Sequence, residues 1–174
     1  MKTVKKLLIG AAVFLLLVYG INVWSGRQRQ QLPAPTPETV TVTQQQPPEL
    51  ATIDRISDIM KQTAPDDWII SWTYDPEIRT VWFIIIDPEV TEEAIRLTKE
   101  NPDSLLDRWN ASVSSTIELQ KEISRDLEIS GFQDITVVLE QRNPDNTEEK
   151  WLVVANGIAG YDVVNGVDLL NGQS

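Results

Sequence analysis

Residues 141–157 read "QRNPDNTEEKWLVVANG", and the reading of this stretch decides the fold. Asn143, Asp145, Asn146, Thr147, Glu148 and Glu149 crowd into a few positions, and the chain then turns abruptly apolar. Oxygen-rich clusters of this kind occur in calcium loops, where acidic ligands at alternate positions are joined by a permissive glycine and closed by a bidentate glutamate. Asn143, Asp145, Thr147 and Glu149 do alternate, but the cluster lacks the glycine and its flanks read as strands. Asn-Pro-Asp-Asn is strong turn chemistry, because Pro144 fixes φ and the Asp and Asn side chains bond back to nearby backbone. The cluster therefore reads as a solvated turn joining "DITVVLE" (134–140) to "KWLVVA" (150–155). Asn156-Gly157 is the strongest two-residue hairpin signal in the chain. It turns the second strand back into "IAGYDVV" (158–164), so the last third of the chain is a predicted meander.

Upstream, Leu106, Trp109, Val113, Ile117, Ile123 and Leu127 mark the buried stripe of a long helix over about 104–130, ended by Gly131. "NPD" separates it from a shorter helix, "TEEAIRLTKE" (91–100), whose Thr91 is a capping residue with two acidic neighbours in the first turn. Before these stand two strands. "WIISWTY" (68–74) alternates, with Trp68, Ile70, Trp72 and Tyr74 on one face, and "TVWFIII" (80–86) is apolar on both faces, which suits a central strand. Leu50, Ile53, Ile56, Ile59 and Met60 recur at helical spacing after Pro47-Pro48, giving an amphipathic helix to about 62. The order helix, hairpin, helices, meander predicts an α+β domain over 50–174: an antiparallel sheet with helices packed on one face.

The first 49 residues differ in kind. Residues 7–24 carry no charge over 18 positions, about 27 Å as a helix against ~30 Å of hydrocarbon. Three lysines precede this run and two arginines follow it, so positive-inside places the amino terminus inside and the carboxyl domain outside. The apolar run is long for a cleaved signal peptide and no A-x-A site follows it. Residues 1–26 are thus expected to be a signal anchor, a single transmembrane helix holding the protein at the cell membrane. Residues 27–49 hold five of the ten prolines with many Gln and Thr, a composition that cannot bury a core. They read as a Pro/Gln-rich linker, ~70 Å long if extended and about 25 Å as a coil.

Composition removes whole classes of chemistry. Without cysteine or histidine there is no disulfide, no zinc site with sulfur or imidazole ligands, and no His-dependent triad. Residues 50–174 carry 24 acidic against 10 basic side chains, a net charge of −14 that repels nucleic acid. There is no phosphate-cradling glycine loop, no dinucleotide fingerprint and no Gly-x-Ser-x-Gly elbow, and no cofactor is expected. Two features carry candidate sites. Trp68, Trp72 and Tyr74 form an aromatic ladder that would serve as a ligand platform if exposed and as core if helices cover it. Asp66-Asp67 could supply one half of a glycosidase-like carboxylate pair, although no partner carboxylate is fixed by the sequence.

"NPDN…KWLVVANGIAGYDVV", after a long helix begun by "LLDRWNASVSSTIELQKEI", resembles an uncharacterised extracytoplasmic domain of Gram-positive bacterial lipoproteins and membrane-anchored proteins. The resemblance spans about 66–166 and rests on a Trp-started helix, an Asn-Pro-Asp-Asn turn, an Asn-Gly hairpin and a Tyr-Asp pair. It implies location and fold, with no activity attached. This chain departs from that pattern in carrying a helix where those proteins carry a lipid. The expectation is a non-enzymatic binding or assembly module. Its partners would be the membrane through the N-terminal helix and an envelope protein or a second copy. The alternative is an envelope enzyme acting on cell-wall glycan through carboxylates.

Overall fold

The computed structural model describes residues 47–100 and 102–170. The expected anchor over 1–26 and nearly all of the linker over 27–49 lie outside the described residues. Among the described residues no helix is long and apolar enough to cross a membrane. The order is α1 (Pro48–Thr63), β1 (Ile69–Asp75), β2 (Thr80–Ile86), α2 (Glu92–Glu100), α3 (Pro102–Ile129), β3 (Thr136–Arg142), β4 (Lys150–Ala155), β5 (Ile158–Asp162) and β6 (Val167–Asp168).

Local signals end these elements as their chemistry requires. α1 starts with Pro48 in its first turn, where a missing N–H costs nothing, and stops at Ala64, whose extended backbone leads into Pro65. Thr91 Oγ1 accepts the Ala94 N–H at 3.3 Å and caps α2. α3 closes on Gly131 at φ +95°, with Phe132 N–H returning to Leu127 O and Gly131 N–H to Glu128 O. That is a Schellman ending, which a left-handed glycine permits. Asn156 and Gly157 both have positive φ, 51° and 75°, and Ala155 pairs with Ile158 across a two-residue turn.

The six strands form one sheet in the order β1-β2-β3-β4-β5-β6. The expectation of an antiparallel sheet is corrected: β2 and β3 pair in parallel, Thr80 with Thr136 through Ile85 with Gln141, and the sheet is mixed. The reason is the connection. Residues 87–135 hold two helices, and a strand that leaves through helices and returns to the neighbouring position re-enters in its original direction. The other four pairings are antiparallel.

The helices lie on one side. α1 packs on β1 and α3, α2 packs on α3, and α3 crosses β3, β4 and β5. Ile70, Val81, Phe83, Ile85, Val137, Leu139, Leu152 and Val154 point to that side and join Ile53, Ile56, Met60, Leu119, Ile123 and Leu127 in one core. Their registers (Trp72 opposite Phe83, Phe83 opposite Leu139, Leu139 opposite Val154) put them in lateral rows, so the core is continuous across the inner strands. Each fully buried residue of this size contributes about 1.5–3 kcal/mol of hydrophobic free energy.

Candidate functional site

The alternate residues of the same strands build the opposite face. One lateral row runs Thr73, Trp82, Val138, Ala155, Ile158; the next runs Ser71, Ile84, Glu140, Val153, Tyr161. None of Trp82, Ile84, Val138, Val153 or Tyr161 belongs to the helix-side core or packs against it. No described helix covers this face. A sheet face turned only to water normally alternates to polar residues, yet the middle of this one is apolar. Val138 and Val153 are buried by their neighbours, Trp82, Ile84 and Tyr161 are half-buried, and Ile69 and Ile158 at the two sides are 59% and 55% exposed.

In the centre of that face stands a carboxylate. The Glu140 side chain is 2% exposed. Its Oε2 accepts Arg142 Nε at 2.8 Å and also receives Arg142 Nη2, while its Oε1 accepts Lys150 Nζ at 2.7 Å. Arg142 further donates Nη1 to Thr147 O at 3.0 Å. A β-bulge at Gln141/Arg142 makes this contact, because it sets Lys150 opposite Arg142 with Trp151 as the extra residue. Trp151 turns inward and donates Nε1 to Val90 O at 3.0 Å. Two cations on one carboxylate leave this spot locally positive, in a domain whose overall charge is strongly negative.

The sequence candidates fall elsewhere. Trp68, Trp72 and Tyr74 lie half-buried against the helix-side core, and Trp72 Nε1 donates to Asp54 Oδ1 of α1 at 3.1 Å. Trp72 thus meets α1, Trp68 and Tyr74 share its helix-covered face, and the aromatics on the uncovered face are Trp82 and Tyr161. The "NPDN" stretch closes on itself: Asn143 Oδ1 accepts Asp145 N–H at 2.9 Å, Asn143 Nδ2 donates to Glu149 Oε2 at 2.8 Å, and Asn143 N–H reaches Glu149 O. Its oxygens serve the turn. Among the described residues no cluster of three or more Asp or Glu could hold a metal ion.

Asp66-Asp67 does acquire a neighbour. Asp87, at the end of β2, is pushed up to about 6, first by burial and then by the nearby charges of Glu89 and Asp67; the Glu89 N–H it accepts at 2.9 Å pulls the other way. The folded state therefore holds this proton more tightly than the unfolded chain does. Stability is higher where Asp87 is protonated and falls as pH rises from about 4 through about 6. Asp87→Asn, which keeps an oxygen for the Glu89 N–H, is expected to flatten that dependence and to be about 2–3 kcal/mol more stable at pH 7. Urea midpoints of both proteins at pH 4.5 and 7 measure it.

An open groove of about 630 Å³ lies at the other end of the sheet, between the second half of α3, the start of β3 and the Asn156-Gly157 turn. Its buried Gln120 has both amide ends committed, donating to Val137 O and Ser124 Oγ and accepting Gly157 N–H at 2.9 Å. Gln120 fastens α3 to the hairpin and leaves the groove walls to exposed, mixed-charge side chains. No protein-family model, curated protein or solved structure matches the chain.

Proposed function

We propose that this chain is a membrane-anchored extracytoplasmic binding or assembly module, and that the uncovered face of its mixed sheet is the surface that works. The observation that carries this reading is the set of apolar side chains flanking Glu140 on that face, half-buried Trp82, Ile84 and Tyr161 with exposed Ile69 and Ile158, all outside the core that the helices seal. A contiguous apolar patch rimmed by polar residues on a soluble domain marks an interaction site. The uncharged 18-residue run and the resemblance to extracytoplasmic domains support the location.

The chain has no cysteine, so single cysteines report cleanly. In whole cells a membrane-impermeant maleimide is expected to label Ser114→Cys, which is exposed on α3. It is expected to label Ser71→Cys, exposed on the uncovered face, markedly more slowly, with the difference vanishing once the protein is purified. Labelling of Ser114→Cys only after lysis would overturn the location. Equal rates in intact cells would overturn the face.

One observation favours the carboxylate-enzyme alternative: Asp87 with a raised pKa beside Asp67, since perturbed carboxylates cluster at active sites. Asp87 is buried, however, and one of its oxygens is held by the backbone, while the 630 Å³ groove lies at the opposite end of the sheet. Loss of a glycan-hydrolysing activity in a folded Asp87→Asn protein would restore that alternative.

A further inference from the structure

We infer that Asn156 is a self-modification site, converting through a cyclic imide to isoaspartate and aspartate, and that Gln120 sets the rate by holding the Gly157 N–H. Asparagine followed by glycine is the pair in which this chemistry runs most readily, because glycine has no side chain to obstruct the approach of its own nitrogen. The Gly157 nitrogen gives up its proton and bonds to Asn156 Cγ, the Cγ–Nδ2 bond breaks, and Nδ2 leaves as ammonia. Water then opens the imide at either carbonyl. One opening gives aspartate; the other reroutes the main chain through the side-chain carbon and gives isoaspartate. Water enters, ammonia leaves, the chain gains a negative charge, and nothing is oxidised or reduced.

Asn-Gly stands at 156–157 and at 165–166 among the described residues, and the two pairs are restrained differently. At 165 the side chain is tied: Asn165 Nδ2 donates to Asn110 Oδ1 at 2.9 Å and to Asp162 Oδ2 at 2.7 Å. Those bonds fix the amide that would have to turn toward Gly166 and leave. At 156 the side chain is exposed and makes no hydrogen bond among the described residues. The restraint there lies on the nucleophile, because Gly157 N–H donates to Gln120 Oε1 at 2.9 Å. Gln120 is 3% exposed and its Nε2 is held by Val137 O and Ser124 Oγ, so it stays in place when the turn moves. Ring closure must break the Gly157 bond and leave a buried acceptor without a donor, which slows it. The isoaspartate product no longer fits, since it lengthens the main chain inside a two-residue turn whose flanks, Ala155 and Ile158, are paired. Its carboxylate stands on the wall of the open groove that Lys121 and Arg125 also line, and Ile158 and Tyr161 of the uncovered face hang from the altered turn.

The test incubates the full chain in detergent micelles at mildly alkaline pH and follows both Asn-Gly pairs by peptide mass spectrometry, with fragmentation that separates isoaspartate from aspartate. The folded wild type is expected to give slow conversion at Asn156 and none at Asn165. Gln120→Met keeps the bulk and lacks the acceptor, and it is expected to speed conversion at Asn156 about tenfold while Asn165 stays unconverted. Hydrogen exchange of the Gly157 N–H is expected to quicken in the same variant, a change that general loosening would spread to neighbouring amides. An Asn156 rate unchanged by Gln120→Met, no product at Asn156 in either protein, or conversion at Asn165 to the same extent would overturn the inference. The wild type alone also decides, whatever the fate of the variant. Its folded Asn156 is expected to convert about tenfold more slowly than the same residue in urea, and equal rates would overturn the role of Gln120.

Discussion

Asp162→Ala is expected to cost about 4 kcal/mol of folding stability, because it strips the acceptor from a buried indole N–H and from two half-buried backbone N–H groups at once. The Asp162 side chain is almost wholly enclosed. Oδ1 accepts Trp109 Nε1 at 2.8 Å and the backbone N–H groups of Val164 and Asn165 at 3.0 Å each, and Oδ2 accepts Asn165 Nδ2 at 2.7 Å. One carboxylate thus ties α3, through Trp109, to the turn that follows β5. Alanine leaves the indole N–H and two backbone N–H groups facing no acceptor, at about 1–3 kcal/mol each before partial relief by water. Asp162→Asn keeps the oxygen at Oδ1 but turns an NH₂ toward the Asn165 amide, so about half the loss, ~2 kcal/mol, is expected. Urea unfolding of the three proteins orders them wild type, Asn, Ala. An alanine variant within 1 kcal/mol of wild type would mean that the Trp109–Asp162 link is dispensable. Tyr161 of the uncovered face is the next residue, so the same loss would loosen that edge of the face.

The Glu140 site gives the second large effect. Removing both cations, Arg142→Ala with Lys150→Ala, leaves a carboxylate at 2% exposure with no counter-charge, and a loss of about 3–5 kcal/mol is expected. Removing all three charges is expected to behave differently. Glu140→Leu, Arg142→Met and Lys150→Met together replace the group by apolar side chains of similar bulk, and such exchanges are near neutral, within about 1 kcal/mol. The contrast separates the cost of an abandoned charge from the net worth of the ionic group. If the triple variant were as unstable as the double one, the ionic group would be net stabilising in its own right.

Much of the architecture was legible, and the reasons are local. Gly131, Thr91 and Asn156-Gly157 act within a turn or two of themselves, so their chemistry can be read from neighbouring letters. The Asn143 turn yielded to the same logic, since proline and side-chain-to-backbone bonding act within six residues. The parallel β2–β3 pairing was not legible in that way. It depends on where two intervening helices return the chain, and "TVWFIII" looks the same beside a parallel or an antiparallel neighbour. Its two-faced apolarity was visible, but a sequence cannot say that one of those faces stays outside the helical core.

The candidate site was hidden for a related reason. Glu140 closes an alternating run and reads as a solvent-facing strand end. Only the bulge at Gln141/Arg142 brings Lys150 across to it, and bulges follow from register. Trp82 was obscured by the more regular aromatic ladder of Trp68, Trp72 and Tyr74, which lies on the helix-covered face. Asp67 and Asp87 stand twenty positions apart in the chain, and they meet because β1 and β2 form a hairpin with Ile69 opposite Ile86.

The claim on which the account turns is that the molecule works through the helix-free side of its sheet. A photo-reactive amino acid placed at Thr73 on that side, or at Ser114 on α3, and irradiated in intact cells tests it most directly. A discrete crosslinked adduct is expected from Thr73, and little or none from Ser114. Adducts from Ser114 with none from Thr73 would contradict it and move the working surface to the helices.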